Sequence, residues 1–149
     1  MSDNIATQAR NKAGGYYKEG YNCAEAIFLA FREYLAPELS PELVKLITGF
    51  GSGVGHAGCL CGALSGSVMA LNMVKGRTSN QEKRDAAYDT VRQFHDRFRE
   101  QFGSTDCRVL NPHPHDTPEQ LKNCLKITGG TAKLLMEFLQ EKSLYKMAE

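Results

Sequence analysis

The sequence predicts an all-α, single-domain helical bundle built around a central Gly/Ala-rich helix at about 59–74. Three observations predict it. Apolar residues recur at i, i+3, i+4 and i+7 along most of the chain. Helix caps and stops punctuate the pattern at Asn22, Ser40-Pro41, Gly76 and Thr117-Pro118. No period-2 alternation is long enough to make a strand. The 149 residues amount to one domain and can bury a core without covalent staples. With no repeat and no linker, 1–149 reads as a single unit.

Ala6 to Tyr17 predicts a weak helix, broken at Gly14-Gly15. Asn22-Cys23-Ala24-Glu25 has the form of a capping box, an Asn cap with Glu three residues on. The helix it opens carries Ala24, Ile27, Phe28, Phe31 and Leu35 on one face, and Pro37 ends it. Ser40-Pro41 starts a short helix to Ile47. A glycine-rich loop, 49–58, leads into the central helix, which Gly76 stops. Ser79 or Asn80 opens a charged helix to Phe102, with Ala87, Val91, Phe94 and Phe98 inward. Asp106 is a cap candidate, and 111–116 is a loop. Thr117 to Gln120 forms a second capping box. The last helix keeps phase through Leu121, Cys124, Thr128, Leu135 and Leu139 despite Gly129-Gly130.

Charge excludes some partners. Eighteen basic and seventeen acidic residues leave a net charge of +1, so no field draws in nucleic acid, and no basic stripe or base-reading motif is present. Between Leu46 and Val74 His56 is the sole Asp, Glu, Lys, Arg or His, which raises the question of a membrane. The apolar part, Leu60 to Val74, falls short of the ~20 residues needed to span, so a buried central helix is expected. The polar start MSDNIATQARNKAGG lacks a basic segment followed by an apolar run. A cytoplasmic protein is therefore expected, and there thiols stay reduced.

Five cysteines in that setting point to chemistry or metal rather than to disulfides. Cys23 follows the cap Asn22, and Cys107 follows Asp106, both at first helical positions. Cys59 and Cys61 fall in the first turn of the predicted central helix. Cys124 lies mid-helix on the inward stripe. Helix amino ends carry partial positive charge and free N–H groups, which favour thiolate over thiol. Packing as small hydrophobes is the plainer account of each cysteine alone; four at helix starts favours function for the set. Gly58, Gly62, Gly66 and Ala70 recur at i+4. That glycine face either admits a close helix neighbour, in this chain or in a homodimer, or turns bare backbone N–H groups at Gly58 and Gly62 toward a cluster or anion.

The motifs Gly20-Tyr21-Asn22-Cys23-Ala24-Glu25, Cys61-Gly62-Ala63-Leu64-Ser65-Gly66, Phe102 to Leu110 around Cys107, and Asn123-Cys124-Leu125 occur in order. In this the chain resembles the redox-active family named for its signature, C_GCAxxG_C_C, over about 15–140. Gly58-Cys59 also offers the "GC" of the signature, but Cys61 keeps Gly62-Ala63-x-x-Gly66 in register. The resemblance implies an all-helical fold and a cysteine-lined redox site. Related sequence occurs in a cytochrome that pairs haem with an iron–sulfur cluster. No Cys-x-x-Cys-His motif is present here, so no haem is expected.

Three readings stay open. In the first, Cys23, Cys61, Cys107 and Cys124 ligate an iron–sulfur cluster or another metal, Fe or Zn, for electron transfer to an unknown redox partner, with Cys59 and His56 as further candidate ligands and Gly58, Gly62 and Gly66 lining the cofactor. In the second, an oxidoreductase-type thiol–disulfide centre uses Cys61 as the attacking thiolate and Cys59 or Cys107 as the resolving thiol. In the third, the glycine face binds a partner helix and the cysteines are structural. His56 lies three residues before Cys59; a loop histidine bonded to backbone is its plainer account. His113 and His115 alternate with prolines, and His95 reads as a helix-face residue. Gly51 to Gly55 has part of a dinucleotide fingerprint, but no strand precedes it.

Overall fold

The fold is a helical bundle, described here from a computed structural model over residues 4–145. The start of the chain, from which the expectation of no leader was drawn, falls partly on residues 1–3, outside the described residues. Helix α1 (Ile5–Lys18) is capped by Asn4, whose side chain accepts from the Thr7 N–H at 2.8 Å. The break expected at Gly14-Gly15 does not occur. Gly14 is buried, and a Cβ there would lie 3.6 Å from Leu125 of the last helix. Packing against that helix offsets the glycines' cost of roughly 1 kcal/mol each.

Helix α2 (Cys23–Leu35) opens with the predicted capping box: Asn22 accepts from the Glu25 N–H at 2.9 Å, and Glu25 accepts from the Asn22 N–H at 3.0 Å. Its predicted face is buried at Ala24, Ile27, Phe28 and Phe31. The short helix after Ser40 is a 3-10 helix, Pro41–Leu46, followed by a second, Thr48–Phe50. A single turn, α3 (Gly51–Val54), has left-handed backbone at Ser52 and Gly53. The left-handed run continues through Val54, Gly55 and His56, at φ 69°, 59° and 68°.

The central helix, α4 (Gly62–Lys75), starts three residues later than predicted. The preceding backbone is engaged elsewhere. Leu60 bridges Asp106, the Cys61 N–H donates to Thr105 O at 2.8 Å, and the Cys107 N–H donates to Cys59 O at 2.6 Å. Cys59 is thus in the loop, and Cys61 is the cap residue. Helix α5 (Asp85–Phe102) also starts later than expected, because Ser79 closes a local turn by accepting from the Gln81 and Glu82 N–H groups. A four-residue α6 (Cys107–Leu110) and the long α7 (Pro118–Glu141), capped by Thr117, complete the chain. Helix α7 is continuous through Gly129-Gly130. Leu121, placed inward by its spacing, is 44% exposed.

Helix α4 sits in the middle against α2, α5 and α7, and α1 packs on α7 and α2. Phe31, Phe94, Phe98, Phe138, Leu64, Leu71, Leu135, Met136 and Leu139 are fully buried between them, each worth about 1.5–3 kcal/mol on the usual scale. No helix among the described residues is long and apolar enough to cross a membrane.

Gly62 and Gly66 explain how α4 comes so near α2. A Cβ on Gly62 would overlap the Cys23 sulfur; one on Gly66 would lie 2.8 Å from Ala24 O and 3.1 Å from Ala24 Cα. This part of the glycine face is covered by the chain's own α2, which removes the ground on which a homodimer was expected. Gly66→Ala should therefore lower stability by about 1–3 kcal/mol, the usual cost of overpacking. A urea midpoint equal to wild type would show that α2 yields freely.

Candidate functional site

Four cysteines from four parts of the chain meet at one small cavity. Cys23 comes from the first position of α2, Cys61 from the cap of α4, Cys107 from the first position of α6 and Cys124 from the second turn of α7. They line a cavity of about 20 Å³ with Ser52, Gly62, Leu110, Asn111, Gln120 and Ile127, room for about one water molecule. Local chemistry sets each thiol. The α2 capping box holds Cys23, and Asn22 Nδ2 also donates to Thr48 O at 3.0 Å, tying the 3-10 turn to the site. The Leu60–Asp106 bridge sets Cys61 beside Cys107. Gly53 lets the left-handed turn pass under them, since a Cβ there would lie 2.7 Å from Cys107 Cβ and 2.6 Å from the Cys59 N.

Cys59 is not part of this group. It is exposed, and its sulfur lies 3.9 Å from Arg108 Nη2. Arg108 is occupied by the loop backbone: Nε donates to Gly58 O at 3.1 Å and Nη2 to Ala57 O at 3.0 Å. Gly58, expected near a cofactor, faces the Arg108 side chain instead. Gly66 faces Ala24 of α2, and of the three predicted glycines Gly62 lines the cavity. His56 stands outside the cysteine group and stacks on His115, ring centroids 4.0 Å apart. His95 bonds Asp96 at 2.9 Å on the surface.

The four thiols are electrostatically unequal. Cys124 is held below the ordinary thiol range: the Cys23 thiol hydrogen-bonds to its sulfur, burial opposes this, and the Tyr17 and Thr128 hydroxyls add to it. Thr128 Oγ1 is buried without a hydrogen bond of ordinary geometry, so its contribution is that of a nearby dipole. Cys23 is pushed well up, first because its proton is given to Cys124, then by burial and the neighbouring Cys124 and Cys61. Burial pushes Cys61 up to about 12, against the Ala63 and Leu64 amides that favour its thiolate. Burial raises Cys107 as well. Burial and Cys124 keep Tyr17 protonated, its pKa well above the ordinary range. Of the four, Cys124 is thus the thiol that ionises most readily.

This corrects the expected order. A helix amino end was expected to make Cys61 the reactive thiolate, but desolvation outweighs the amides there. The activated cysteine is mid-helix Cys124, whose donors come from α1 (Tyr17), α2 (Cys23) and its own next turn (Thr128). Only the last left a trace in the sequence, as Cys124 and Thr128 are i, i+4 on one face. Asn111 and Gln120 also escaped notice. Asn111 Nδ2 donates to Gln120 O at 3.0 Å, while its buried Oδ1 has no partner.

The donors have the chemistry of a metal site but not its arrangement. Among the described residues no three Cys, His, Asp or Glu side chains are grouped so as to hold one ion, and the cavity is too small for a multi-atom cluster without movement of its walls.

A sequence model of the family described as "Putative redox-active protein (C_GCAxxG_C_C)" matches residues 21–138, which include all four clustered thiols. The chain belongs to this family. An uncharacterized protein of Archaeoglobus fulgidus is 28% identical over 145 residues, covering 91% of this chain and 96% of that one. A protein of Oryza sativa subsp. japonica called a glucose and ribitol dehydrogenase homolog is 37% identical over 91 residues, 61% of this chain but 27% of that protein. No solved structure matches.

The C_GCAxxG_C_C site makes a definite prediction about its thiols. A pKa lowered in the fold means that thiolate exists at a pH where a free thiol is protonated. Alkylation of Cys124 should reach half its maximal rate below pH ~8.5, the free-thiol value, while Cys61 and Cys23 alkylate only above it. Tyr17→Phe should move the Cys124 midpoint upward. Peptide-resolved iodoacetamide labelling against pH reads all three, and a Cys124 midpoint at or above the free-thiol value would contradict the assignment.

Proposed function

We propose that this redox-active protein works as a two-electron thiol–disulfide centre, with Cys124 attacking and Cys23 resolving. The observation that carries the reading is that Cys23 and Cys124 line one small cavity together, Cys23 buried and Cys124 more accessible, with the neighbouring Cys23 thiol holding Cys124 below the ordinary thiol range. That arrangement pairs a stabilised thiolate with a protonated neighbour, the two states that thiol–disulfide exchange requires. Both cysteines line a larger open cleft, but Cys124 is partly exposed whereas Cys23 is 5% exposed. A substrate disulfide therefore meets Cys124 first.

The exchange balances as written. The Cys124 thiolate attacks one sulfur of a substrate disulfide and releases one thiolate. Cys23 then gives up its proton and attacks the Cys124 sulfur of the mixed disulfide, releasing the second substrate sulfur. Cys23 and Cys124 end joined, oxidised by two electrons, and the substrate is reduced to two thiols. Tyr17 stays protonated and holds the attacking thiolate in place. Cys61 and Cys107, kept neutral by burial, lower the polarity around the pair.

Oxidation of the reduced protein by one equivalent of a small disulfide should give a Cys23–Cys124 bond, seen as one dominant cross-linked peptide by mass spectrometry. In Cys23→Ser the reaction should stop at a mixed disulfide on Cys124. A product joined through Cys61 or Cys107 instead would refute the assignment.

A second reading rests on the donor count: four thiols are the ligand number of an iron–sulfur cluster or a structural zinc, although these thiols would have to draw together to share one ion. Cys23, Cys61, Cys107 and Cys124 would hold the metal, which would supply one-electron transfer if iron or rigidity if zinc. Under that reading, protein purified without oxygen carries close to one metal site per chain, and Cys107→Ser lowers the metal content. Metal-free protein with four titratable clustered thiols decides for the dithiol.

A further inference from the structure

Cys124 opens onto a cleft of about 700 Å³, within the size range of small-ligand sites. The cleft and the cysteine cavity share a wall made of Cys23, Ser52, Gln120 and Cys124. Its sides are not neutral. Lys18, at the end of α1, and Lys122, in the second turn of α7, both line it, as does Asp116. Both lysines are exposed, and neither has an ion-pair partner among the described residues. The walls between are apolar, chiefly Tyr17, Tyr21 and Leu125. The cleft thus combines two cationic side chains, apolar rings and the Cys124 sulfur in its lining.

We infer that the cleft is a substrate site for small, carboxylate-bearing disulfides, drawn in by Lys18 and Lys122 and presented to Cys124. This rests on the dithiol reading and adds to it the charge class of the substrate. The apolar walls take the carbon–sulfur chain, and the two lysines take the carboxylates at its ends. The reaction is the exchange already balanced: Cys124 thiolate, Cys23 thiol and one disulfide give the Cys23–Cys124 bond, one substrate thiolate and one substrate thiol. The oxidant is the substrate disulfide itself. Asp116 works against anion binding, so the preference is moderate and is strengthened when that carboxylate is removed.

Three disulfides of similar size differ in charge, dithiodiglycolate (anionic), 2-hydroxyethyl disulfide (neutral) and cystamine (cationic), and each rate is divided by its rate with a free small thiol to remove the leaving-group effect. Single-turnover oxidation of the reduced full chain is followed by mass spectrometry of the Cys23–Cys124 peptide. Wild type should react with the anion about tenfold faster than with the cation, in the low range of electrostatic steering. The ratio should fall as salt is added. The double variant Lys18→Glu, Lys122→Glu should invert the ratio, Asp116→Asn should raise it, and Lys83→Glu, next to α5, which lends no residue to the cleft, should leave it as in wild type. Equal rates for anion and cation in wild type, or a ratio insensitive to salt and to the double variant, would overturn the substrate inference while leaving the dithiol intact. Failure of all three disulfides to join Cys23 to Cys124 would overturn the dithiol reading and the substrate inference with it. The salt series on wild type stands whether or not the double variant folds.

Discussion

Everything at the site depends on α4 beginning directly beneath the first turn of α2. That contact is possible because Gly62 carries no side chain: any Cβ would occupy the place of the Cys23 sulfur. Gly66, one turn further on, keeps the two backbones close past Ala24. The price is weak intrinsic helicity in α4, offset by Leu64 and Leu71, both fully buried. The same close approach that builds the core thus brings Cys23 and Cys61 to one cavity.

The second constraint is electrostatic. Four thiols cannot all ionise in a small apolar cavity, since each charge loses hydration and repels the others. The charge settles where hydrogen-bond donors converge. The Cys23 thiol and the Tyr17 and Thr128 hydroxyls near Cys124 hold it below the ordinary thiol range against the effect of burial. Cys61 has two helix amides but is 6% exposed, and desolvation wins. A helix amino end is a real source of stabilisation for an anion. Its effect is small beside the cost of burying the charge.

Strain gathers at the same place. Ser52 to His56 run left-handed, and Ser52, Val54 and His56 have side chains that disfavour that backbone. The turn directs the Ser52 amide at the Cys23 sulfur, where it favours the thiolate, and it forms a wall of the cleft. Local strain of this kind persists where surrounding structure holds it; here Gly53 is clamped between the Cys59 amide and Cys107, and the Gly55 N–H donates to Gly51 O at 2.9 Å.

The amino-acid sequence by itself determined the all-helical class, the α2 capping box, the inward faces of α2 and α5, and the family signature carrying Cys23, Cys61, Cys107 and Cys124. These follow from local rules: periodicity, caps and spacing act over one or two turns. Local spacing places the start of α4 three residues early, because the backbone at 59–61 pairs with 105–107, a partner more than forty residues away. The helix through Gly14-Gly15 was misread because packing on α7 outweighs propensity. Which cysteine carries the charge, and that Cys59 stands apart, was decided only by the tertiary structure. A thiol's pKa is the balance of lost hydration against donors brought from α1, α2 and α7, and neither quantity exists until those helices have packed.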